Sequence, residues 1–510
     1  MRRALISVSD KTGVAHFAAG LAELGFTIIS TGGTSKLLRQ SGVPTTEIES
    51  ITNFPEMMDG RLKTLHPIVH GGLLMRPDNE ADCRVALGHG IEAIEVLCVN
   101  LYPFADIVGK EHTLEQAVEN IDIGGPAMLR SAAKNHKYVT VVTSPAQYEK
   151  VLGETRAHGA TSPGLRRELA VSAFLHTAHY DGLISQYFHR AFSLTGAPEE
   201  MSLPMKKVSD LRYGENPHQV ASLYRTAVTS GGLPAATALQ GKELSYCNIN
   251  DADTAWKLAC EFDKPAAVAV KHATPCGVAV GGSPLEAYTK AHDADPVSIF
   301  GGIVALNRPV DGATAHEMCK IFLDVIVAPE FTAEAIQVFA RKKNLRLLAM
   351  GAQPGQSVLP VWEVRQILGG YLLQSPDAMM RDENWQVATT RTPSQSEWED
   401  LHFAWAVAKY AKSNAIVIAK EGRTLGIGAG QTNRRDATLQ ALLAAGERAR
   451  GAVMASDAFF PMPDSLDFAA RAGVVAVVHP GGSLRDADSL QIAEASGMAM
   501  VVTGVRHFRH

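Results

Sequence analysis

The stretch FTIISTGGTSKLL, residues 26–38, decides the fold of the first part of the chain. An apolar run is followed by two glycines and then by a segment with two leucines. This order predicts a buried strand, a tight turn at Gly32 and Gly33, and a helix. Glycine lets the backbone approach a ligand closely, and the start of a helix favours an anion. A simple strand-to-helix turn with a Ser or Thr cap explains the same residues equally well, so both interpretations stay open at this point.

The flanking segments repeat the alternation of strand and helix. Strands are predicted at RALISVS, EVLCVNLYPF and KYVTVVTS, and helices at GVAHFAAGLAELG, TSKLLRQSG, TLEQAVENID and PAQYEKVLGETRAHG. Short apolar runs separated by amphipathic helices are typical of a parallel sheet that helices cover. The first part of the chain is therefore predicted to be an α/β domain.

The length of 510 residues predicts at least two domains. A segment without periodicity, residues 193–210, holds two prolines and is interpreted as a linker. Strand and helix patterns resume after it, with too many strands for one small sheet. We therefore expect one domain over 1–195 and a second over 196–510, the second made of two α/β sub-domains with a break near 360–395.

Composition excludes several classes of function. The formal net charge is −5, which gives no basic excess for binding nucleic acid. No run of about 20 apolar residues is present, so no membrane partner is expected. The six cysteines form no C-x-x-C pair, and the N-terminus lacks the pattern of a signal peptide. A cytoplasmic protein without structural disulfides is the expectation.

Polar residues follow several predicted strands of the first domain. The segment GRLKTLHPIVHGG supplies Arg61, Lys63 and Thr64, and these groups suit a phosphate. Open α/β sheets bind ligands at the carboxyl ends of their strands, so these groups are candidate ligand contacts. His66 and His70 do not predict a metal site, because an intervening proline disfavours a helical pair and no third ligand is evident. No metal is predicted.

The motifs SVSDKTG, STGGT, GRLKTLHP, NLYPF and IDIGGPAMLRSAAKNH stand in this order along the chain. Together they resemble the inosinate cyclohydrolase half of the bifunctional AICAR formyltransferase/inosinate cyclohydrolase family. The resemblance implies a methylglyoxal-synthase-like fold. It also implies dehydrative ring closure of the formylated intermediate FAICAR to inosinate (IMP), which needs attack geometry, proton transfer and a stabilised oxyanion.

The resemblance also implies the residues of this first site. The catalytic positions of the family match Lys63, Tyr102, Asp122 and Lys134. Within that set, Lys134 would shuttle protons and Asp122 would hold the amide nitrogen. Without the resemblance, a solvated helix lysine is the commoner explanation of a single residue such as Lys134. The positions that grip the nucleotide match Ser9, Asp10, Lys11, Thr31, Gly32, Gly33, Thr34, Arg61, Thr64, Asn100 and Gly124.

In the second domain the stretch VKHATPCG, residues 270–277, ends an apolar run with Lys271 and His272. Taken alone, it is typical of a solvated turn after a strand. Four further segments place polar and aromatic groups beside predicted strands: LRYGENPHQ, KSNAIVIA, GIGAGQTNRRDA and ASDAFFPMPDSLD. Each of these also has a simple structural explanation as a turn, an edge or a satellite core.

These segments resemble the formyltransferase half of the same family, in the same order, so that the resemblance covers nearly the whole chain. It implies transfer of a formyl group from 10-formyltetrahydrofolate, the co-substrate, to the 5-amino group of AICAR. That amine is a poor nucleophile, so a base is needed, and histidine suits this role near neutral pH. The implied fold is cytidine-deaminase-like, but no H-x-E with C-x-x-C is present, so zinc deamination is not supported.

The resemblance assigns His272 as the base, Lys271 as its electrostatic partner, and Asn414 to orient the substrate or the oxyanion. Arg434 would bind the AICAR phosphate in a bidentate contact. The AICAR contacts would be Arg212, Tyr213, Gly301, Asp324 and Arg434. The folate site would be lined by Phe459, Asp464 and Arg506.

Further expectations concern one departure from the family pattern, the oligomeric state, a cation, the small-molecule partners and an alternative function. Thr274 stands where the bacterial family usually has Asn, with a modest effect expected on the hydrogen bonds of the loop. The resemblance implies a homodimer and raises a monovalent cation such as K⁺, whose ligands the spacing does not locate. The small-molecule partners would be AICAR, FAICAR, IMP and folate. The alternative is a non-catalytic, nucleotide-binding regulatory protein on the same fold.

Overall fold

The chain divides into two compact units in a computed structural model that describes residues 2–58, 61–226, 231–351, 362–378 and 385–510. The first unit comprises Met1–Lys206 with Thr226–Val228, and the second comprises Lys207–Arg225 with Thr229–His510. The predicted boundary between the two activities, at 195/196, stays a prediction. Part of the predicted linker 193–210 is a strand, because β6 (Met205–Leu211) pairs with β7 (Ala221–Thr226) in a two-stranded ribbon.

The first unit is a parallel sheet covered by helices, as predicted. Its five strands lie in the order β3-β2-β1-β4-β5, and every pairing is parallel. The predicted strand FTIIS is β2, and the helix that follows it, GGTSKLLRQ, is α2. Phe17 and Leu38 are fully buried in the core of this unit. Its elements are β1 (Arg2–Val8), α1 (Val14–Glu23), β2 (Phe26–Ser30), α2 (Gly32–Gln40), β3 (Thr46–Glu47), α3 (Ile48–Thr52), α4 (Pro67–Leu74), α5 (Glu80–Gly88), β4 (Val96–Asn100), α6 (Phe104–Val108), α7 (Leu114–Glu119), α8 (Gly124–Lys134), β5 (Thr140–Val142), α9 (Tyr148–His158) and α10 (Pro163–Ala191).

The second unit is built on a mixed sheet of twelve strands. Their order is β16-β21-β20-β19-β17-β18-β10-β9-β11-β12-β13-β8. After β6 and β7 the elements are β8 (Thr237–Gln240), α11 (Tyr246–Ala259), β9 (Ala266–Lys271), β10 (Thr274–Val280), α12 (Pro284–Ala294), β11 (Ile303–Leu306), α13 (Gly312–Met318), β12 (Val325–Ala328), α14 (Ala333–Phe339), β13 (Arg346–Ala349), β14 (Glu363–Ile367), β15 (Gly370–Gln374), β16 (Gln386–Val387), α15 (Gln395–Tyr410), β17 (Ile416–Lys420), β18 (Arg423–Gly428), α16 (Arg434–Ala445), β19 (Val453–Ser456), α17 (Asp464–Arg471), β20 (Ala476–His479), α18 (Asp486–Ser496) and β21 (Ala499–Val502).

This unit contains one succession of elements twice. The helix α11, the hairpin β9–β10 and the following elements up to β13 recur as α15, the hairpin β17–β18 and the elements up to β21. Over the first helix and hairpin, counterparts lie 149 positions apart, as Ser245 and Ser394 at the helix starts and Lys271 and Lys420 at the strand ends show. The two copies share one sheet because β10 pairs with β18.

Alternation along the strands divides the interior into layers. On β9, Val268 and Val270 face a core that both copies share with α11 and α15, whereas Ala267 and Ala269 face a core of the first copy alone. The second copy has a matching core of its own around Phe460. The predicted break near 360–395 falls between the copies, and its residues 360–361 and 379–384 lie outside the described residues. In the described part of the chain, no helix combines the length and apolarity needed to cross a membrane.

Candidate active sites

A cavity of about 720 Å³ opens where β1, β2 and β4 of the first unit end. Thirteen of the fifteen residues predicted for the first site line it, all except Asp10 and Lys134. The lining also includes Gly125 of the IDIGGPAMLRSAAKNH motif, and Ser7, Glu56 and Glu119, which were not predicted for this site. The carboxyl ends of parallel strands meet at one edge of the sheet, which explains why distant motifs converge here.

Side-chain hydrogen bonds fix the strand ends that frame the cavity. The Asn100 side-chain oxygen accepts from the backbone N–H groups of Ser9 at 2.6 Å and Asp10 at 2.8 Å. The Lys11 ammonium donates to Thr34 Oγ1 at 2.7 Å and to the carbonyl of Val8. Asn100 therefore holds the loop after β1, and Lys11 stands beside the start of α2.

The start of α2 has the features of an anion site. Thr31 precedes the helix without a side-chain cap, and Gly32 has a φ of 41°. The Lys63 ammonium lies 3.5 Å from the place that a Cβ of Gly32 would occupy. Free N–H groups at a helix start and a nearby cation both attract a negatively charged group.

Carboxylates surround the two cationic groups from the GRLKT motif. Lys63 pairs with Glu56 and, at 3.3 Å, with Glu49. Burial lowers the pKa of Lys63, but these two carboxylates outweigh it and leave the pKa above its ordinary value. Arg61 pairs with Glu119 of the same cavity. Lys63 is thus held in its charged form.

Asp122 lines the same cavity, where Gly124 and Gly125 follow it closely in the chain. Burial raises the pKa of Asp122, and the hydrogen bond from the N–H of Gly125, at 2.8 Å, lowers it in part. A Cβ on Gly125 would stand 2.4 Å from Asp122 Oδ2, and one on Gly124 would stand 2.4 Å from Thr64 Oγ1. The pKa of Tyr102 is raised, first by burial and then by the charge of Asp122.

The hydroxyl of Tyr180 on α10 holds the backbone that carries Asp122. It accepts from the Asp122 N–H at 2.8 Å and donates to the Asn120 carbonyl at 3.2 Å, and the ring is buried. Burial is also the main cause that raises the pKa of Tyr180 to about 12, so the phenol stays protonated. No spacing in the sequence relates these residues, because the bond spans 58 positions.

Tyr180→Phe is expected to lower kcat for closure of the FAICAR ring about five- to tenfold, because a buried N–H and a carbonyl lose their partner and the Asp122 loop shifts. Steady-state assays with supplied FAICAR test this. Tyr187→Phe on the same helix is the matched control, since its hydroxyl lies 3.0 Å from His112 Nε2 instead. Equal kcat values for the Tyr180 variant and the unmodified protein would contradict the prediction.

Lys134 stands apart from the rest of the first site. It is exposed at the last position of α8, whereas Gly124 at the first position lines the cavity. Ten residues of helix separate the two by about 15 Å. The predicted proton-shuttling role of Lys134 stays a prediction that this cavity does not explain.

In the second unit Lys271 ends β9, and His272 begins the turn to β10. The Lys271 ammonium donates to the Phe300 carbonyl at 2.9 Å, next to Gly301, whose φ is 69°. His272 is exposed at the tip of the hairpin. Thr274 Oγ1 donates to the His272 carbonyl at 3.3 Å, so the residue that departs from the family pattern bonds within the same turn.

Asp324 and the loop after β6 lie beside α11. Asp324 accepts from Asn248 Nδ2 at 2.6 Å and from Arg346 at 2.6 Å. The loop is tied to the start of α11, because the Tyr213 carbonyl accepts from the Tyr246 N–H at 3.2 Å. The Arg212 guanidinium stands 5.3 Å from the centre of the Tyr213 ring.

Asn414 belongs to a buried network of the second copy. Its Oδ1 accepts from Arg434 at 2.7 Å, and its Nδ2 donates to the Gln431 carbonyl at 2.8 Å. Arg434 also binds Ser456 at 2.9 Å and forms an ion pair with fully buried Asp457. The Arg434 guanidinium is thus buried and paired beside Asn414, and its predicted contact with the AICAR phosphate stays a prediction.

The three residues predicted for the folate site differ in their surroundings. Phe459 is half-buried, and its neighbour Phe460 is fully buried against His479. Asp464 is the first residue of α17. Arg506 is exposed and stacks on Phe508 at 4.5 Å. Among the described residues, no hydrogen bond or ion pair joins these three or Asn414 to Lys271 or His272.

Comparison with known proteins covers the whole chain. The model of the AICARFT/IMPCHase bienzyme family matches residues 132–444, and that of the MGS-like domain matches residues 13–127. The chain is 52% identical to the bifunctional purine biosynthesis protein PurH of Bacillus cereus (strain Q1) and 51% identical to that of Bacillus thuringiensis subsp. konkukian (strain 97-27), over 100% of both chains in each case.

A solved structure, the crystal structure of ForH, is 35% identical over 37% of this chain and 98% of its own, with a TM-score of 0.34. The MGS-like match confirms the fold predicted for the first unit, and the alternative of a non-catalytic regulator gains no support. The chain belongs to the family of AICAR formyltransferase/IMP cyclohydrolase bienzymes, the bifunctional enzymes of purine biosynthesis.

Proposed function

We propose that the chain makes IMP from AICAR in two steps at separate sites, with formyl transfer in the second unit and ring closure in the first. The observation that carries the proposal is the cavity of the first unit, where an anion site and the Lys63, Tyr102 and Asp122 groups line one space. The Lys271–His272 hairpin supplies the second site.

Ring closure needs a folded substrate, a proton acceptor and a donor to an oxyanion. The start of α2 with Lys11 would hold the phosphate. As the carboxamide nitrogen bonds to the formyl carbon, Asp122 would accept the nitrogen's proton. Lys63, kept charged by Glu56 and Glu49, would donate to the oxyanion. Loss of water then completes the ring.

Formyl transfer needs a base for a weakly nucleophilic amine. His272, exposed at the hairpin tip, would take the proton of the AICAR 5-amino group as the new C–N bond forms. Lys271 would support the oxyanion that develops on the formyl carbon. The bond between that carbon and the folate nitrogen then breaks. Phe459, Asp464 and Arg506 are the proposed contacts of 10-formyltetrahydrofolate.

A homodimer is part of the proposal. The two copies within the second unit carry separate sets of predicted groups, one around His272 and one around Asn414, and a dimer would unite a set from each subunit. The test is to measure the oligomeric state by analytical ultracentrifugation over a series of protein dilutions and to measure formyl-transfer activity at the same concentrations. Transfer activity that persists in fully dissociated monomers would contradict it.

Two further assignments stay at the level of proposal. None of the six cysteines, all within the described residues, forms a disulfide, which supports a reducing, cytoplasmic location. A monovalent cation such as K⁺ stays part of the proposal, but no residues are assigned as its ligands. Among the residues that the structure describes, no group of three or more His, Cys, Asp or Glu side chains is placed to hold a metal ion.

The decisive experiment supplies the purified protein with AICAR and 10-formyltetrahydrofolate, and separately with FAICAR alone. We expect IMP in both reactions. FAICAR that accumulates in the first reaction, or stays unconverted in the second, would contradict the assignment of both steps to this chain.

A further inference from the structure

The turn that carries His272 has an unfavourable backbone for its sequence. Two residues join β9 to β10, and both are left-handed, with φ of 54° at His272 and 55° at Ala273. A two-residue hairpin with positive φ at both positions is a type I′ turn, which prefers Asn, Asp or Gly. Ala273 has a Cβ and no side-chain polar group, so neither glycine freedom nor a bond of its own side chain explains its left-handed backbone.

A single carboxylate holds both residues of the turn. Asp251 on α11 accepts from the His272 N–H at Oδ2, 3.2 Å away, and from the Ala273 N–H at Oδ1, 2.6 Å away. We propose that Asp251 is a positioning residue of the formyl transfer: its carboxylate fixes the turn and thereby the place of the His272 imidazole. This inference rests on the proposed role of His272.

Burial is the largest influence on Asp251 and leaves the pKa of its carboxyl group above the ordinary value. The two N–H groups, and then the charges of His272 and Lys412, offset that rise in part. Lys412 lies two positions before Asn414 along the chain.

The second copy of the repeat shows the same arrangement without the histidine. Asp400 on α15 accepts from the N–H groups of Glu421 at 2.9 Å and Gly422 at 2.8 Å, whose φ values are 54° and 67°. Asp400 lies 149 positions after Asp251, as the turn residues do after theirs. The carboxylate is therefore a feature of the repeated fold, and the first copy combines it with a histidine.

The two turns differ in a way that makes Asp251 more important. The second copy has Gly422, which adopts a left-handed backbone easily, at the position of Ala273. The first turn therefore depends on its carboxylate more than the second does. The Glu421–Gly422 turn that Asp400 holds follows the last residue of β17, whereas Asn414 precedes the first. The five residues of β17 therefore separate this turn from Asn414.

Asp251→Asn and Asp400→Asn in the full-length protein form a matched pair, because each removes one of the two acceptor oxygens from an equivalent turn. We expect Asp251→Asn to lower kcat for formyl transfer about 10- to 100-fold with KM for AICAR within threefold, since misplacing a base is costly. Asp400→Asn is expected to stay within threefold in both constants. Ring closure of supplied FAICAR is the internal control and should be unchanged in both.

Rescue separates positioning from a general loss of stability. Ala273→Gly in the Asp251→Asn background relaxes the turn and is expected to recover at least fivefold in kcat for transfer. Equal losses of transfer in the two Asn variants, or no recovery with glycine, would overturn the inference. Absence of transfer in the unmodified protein would instead overturn the proposed function.

Discussion

His272→Asn is expected to reduce kcat for formyl transfer by about 10³-fold, within the 10²- to 10⁴-fold range that a general base contributes. Asn is chosen because the turn requires a φ of 54° at this position, and Asn adopts left-handed backbone more readily than most residues. The Asp251 contact to the N–H of residue 272 is a backbone contact, so it does not depend on the side chain. The substitution therefore removes the base and leaves the hairpin intact.

Ring closure of supplied FAICAR provides the control within the same molecule. The cavity of the first unit contains no residue of the hairpin, so its rate should stay within twofold. Thr274→Asn, the change to the residue that the resemblance implies at this position, should change transfer less than tenfold. Transfer within tenfold of the unmodified protein for His272→Asn would show that another group takes the proton. A parallel loss of both activities would contradict separate sites.

Local signals in the sequence predicted the elements, but long-range pairing was beyond them. The stretch 26–38 contains its own strand, turn and helix, and the structure has β2 and α2 there. The duplication of the second unit is not visible in this way. The two copies are joined where Ala279 of β10 pairs with Arg423 of β18. The local sequence of neither strand indicates which strand it pairs with. The two counterpart turns also differ in sequence, with His-Ala in one and Glu-Gly in the other.

In the candidate sites, too, residues within recognisable motifs were predicted, whereas residues that act through long-range contacts were not. Lys63 and Asp122 were predicted through the family resemblance of their motifs, and both line the cavity of the first unit. Tyr180 and Asp251 were not, because they act on backbone N–H groups distant in sequence, 58 positions away for Tyr180. The ion pair of Arg434 with buried Asp457 was likewise beyond local signals, because the two residues lie 23 positions apart.

Asp122→Asn is expected to lower kcat for ring closure about 10²- to 10⁴-fold, the contribution of general acid–base catalysis. The asparagine oxygen still accepts from the Gly125 N–H, which now lies 2.8 Å from Asp122 Oδ1, so the loop keeps its shape. What is lost is the carboxylate proposed to take the proton of the attacking nitrogen. Formyl transfer, measured with AICAR and 10-formyltetrahydrofolate, should stay within twofold.

The pH profile distinguishes proton transfer from simple hydrogen bonding. Burial raises the pKa of Asp122 above that of an ordinary carboxyl group, about 3.9. Only the ionised form accepts a proton, so kcat/KM for ring closure in the unmodified protein should fall as the pH drops through this raised pKa. That acidic limb should be absent from the residual activity of Asp122→Asn. A limb that persists in the variant would assign the titration to another group, and Asp122 would then serve only to bind the substrate.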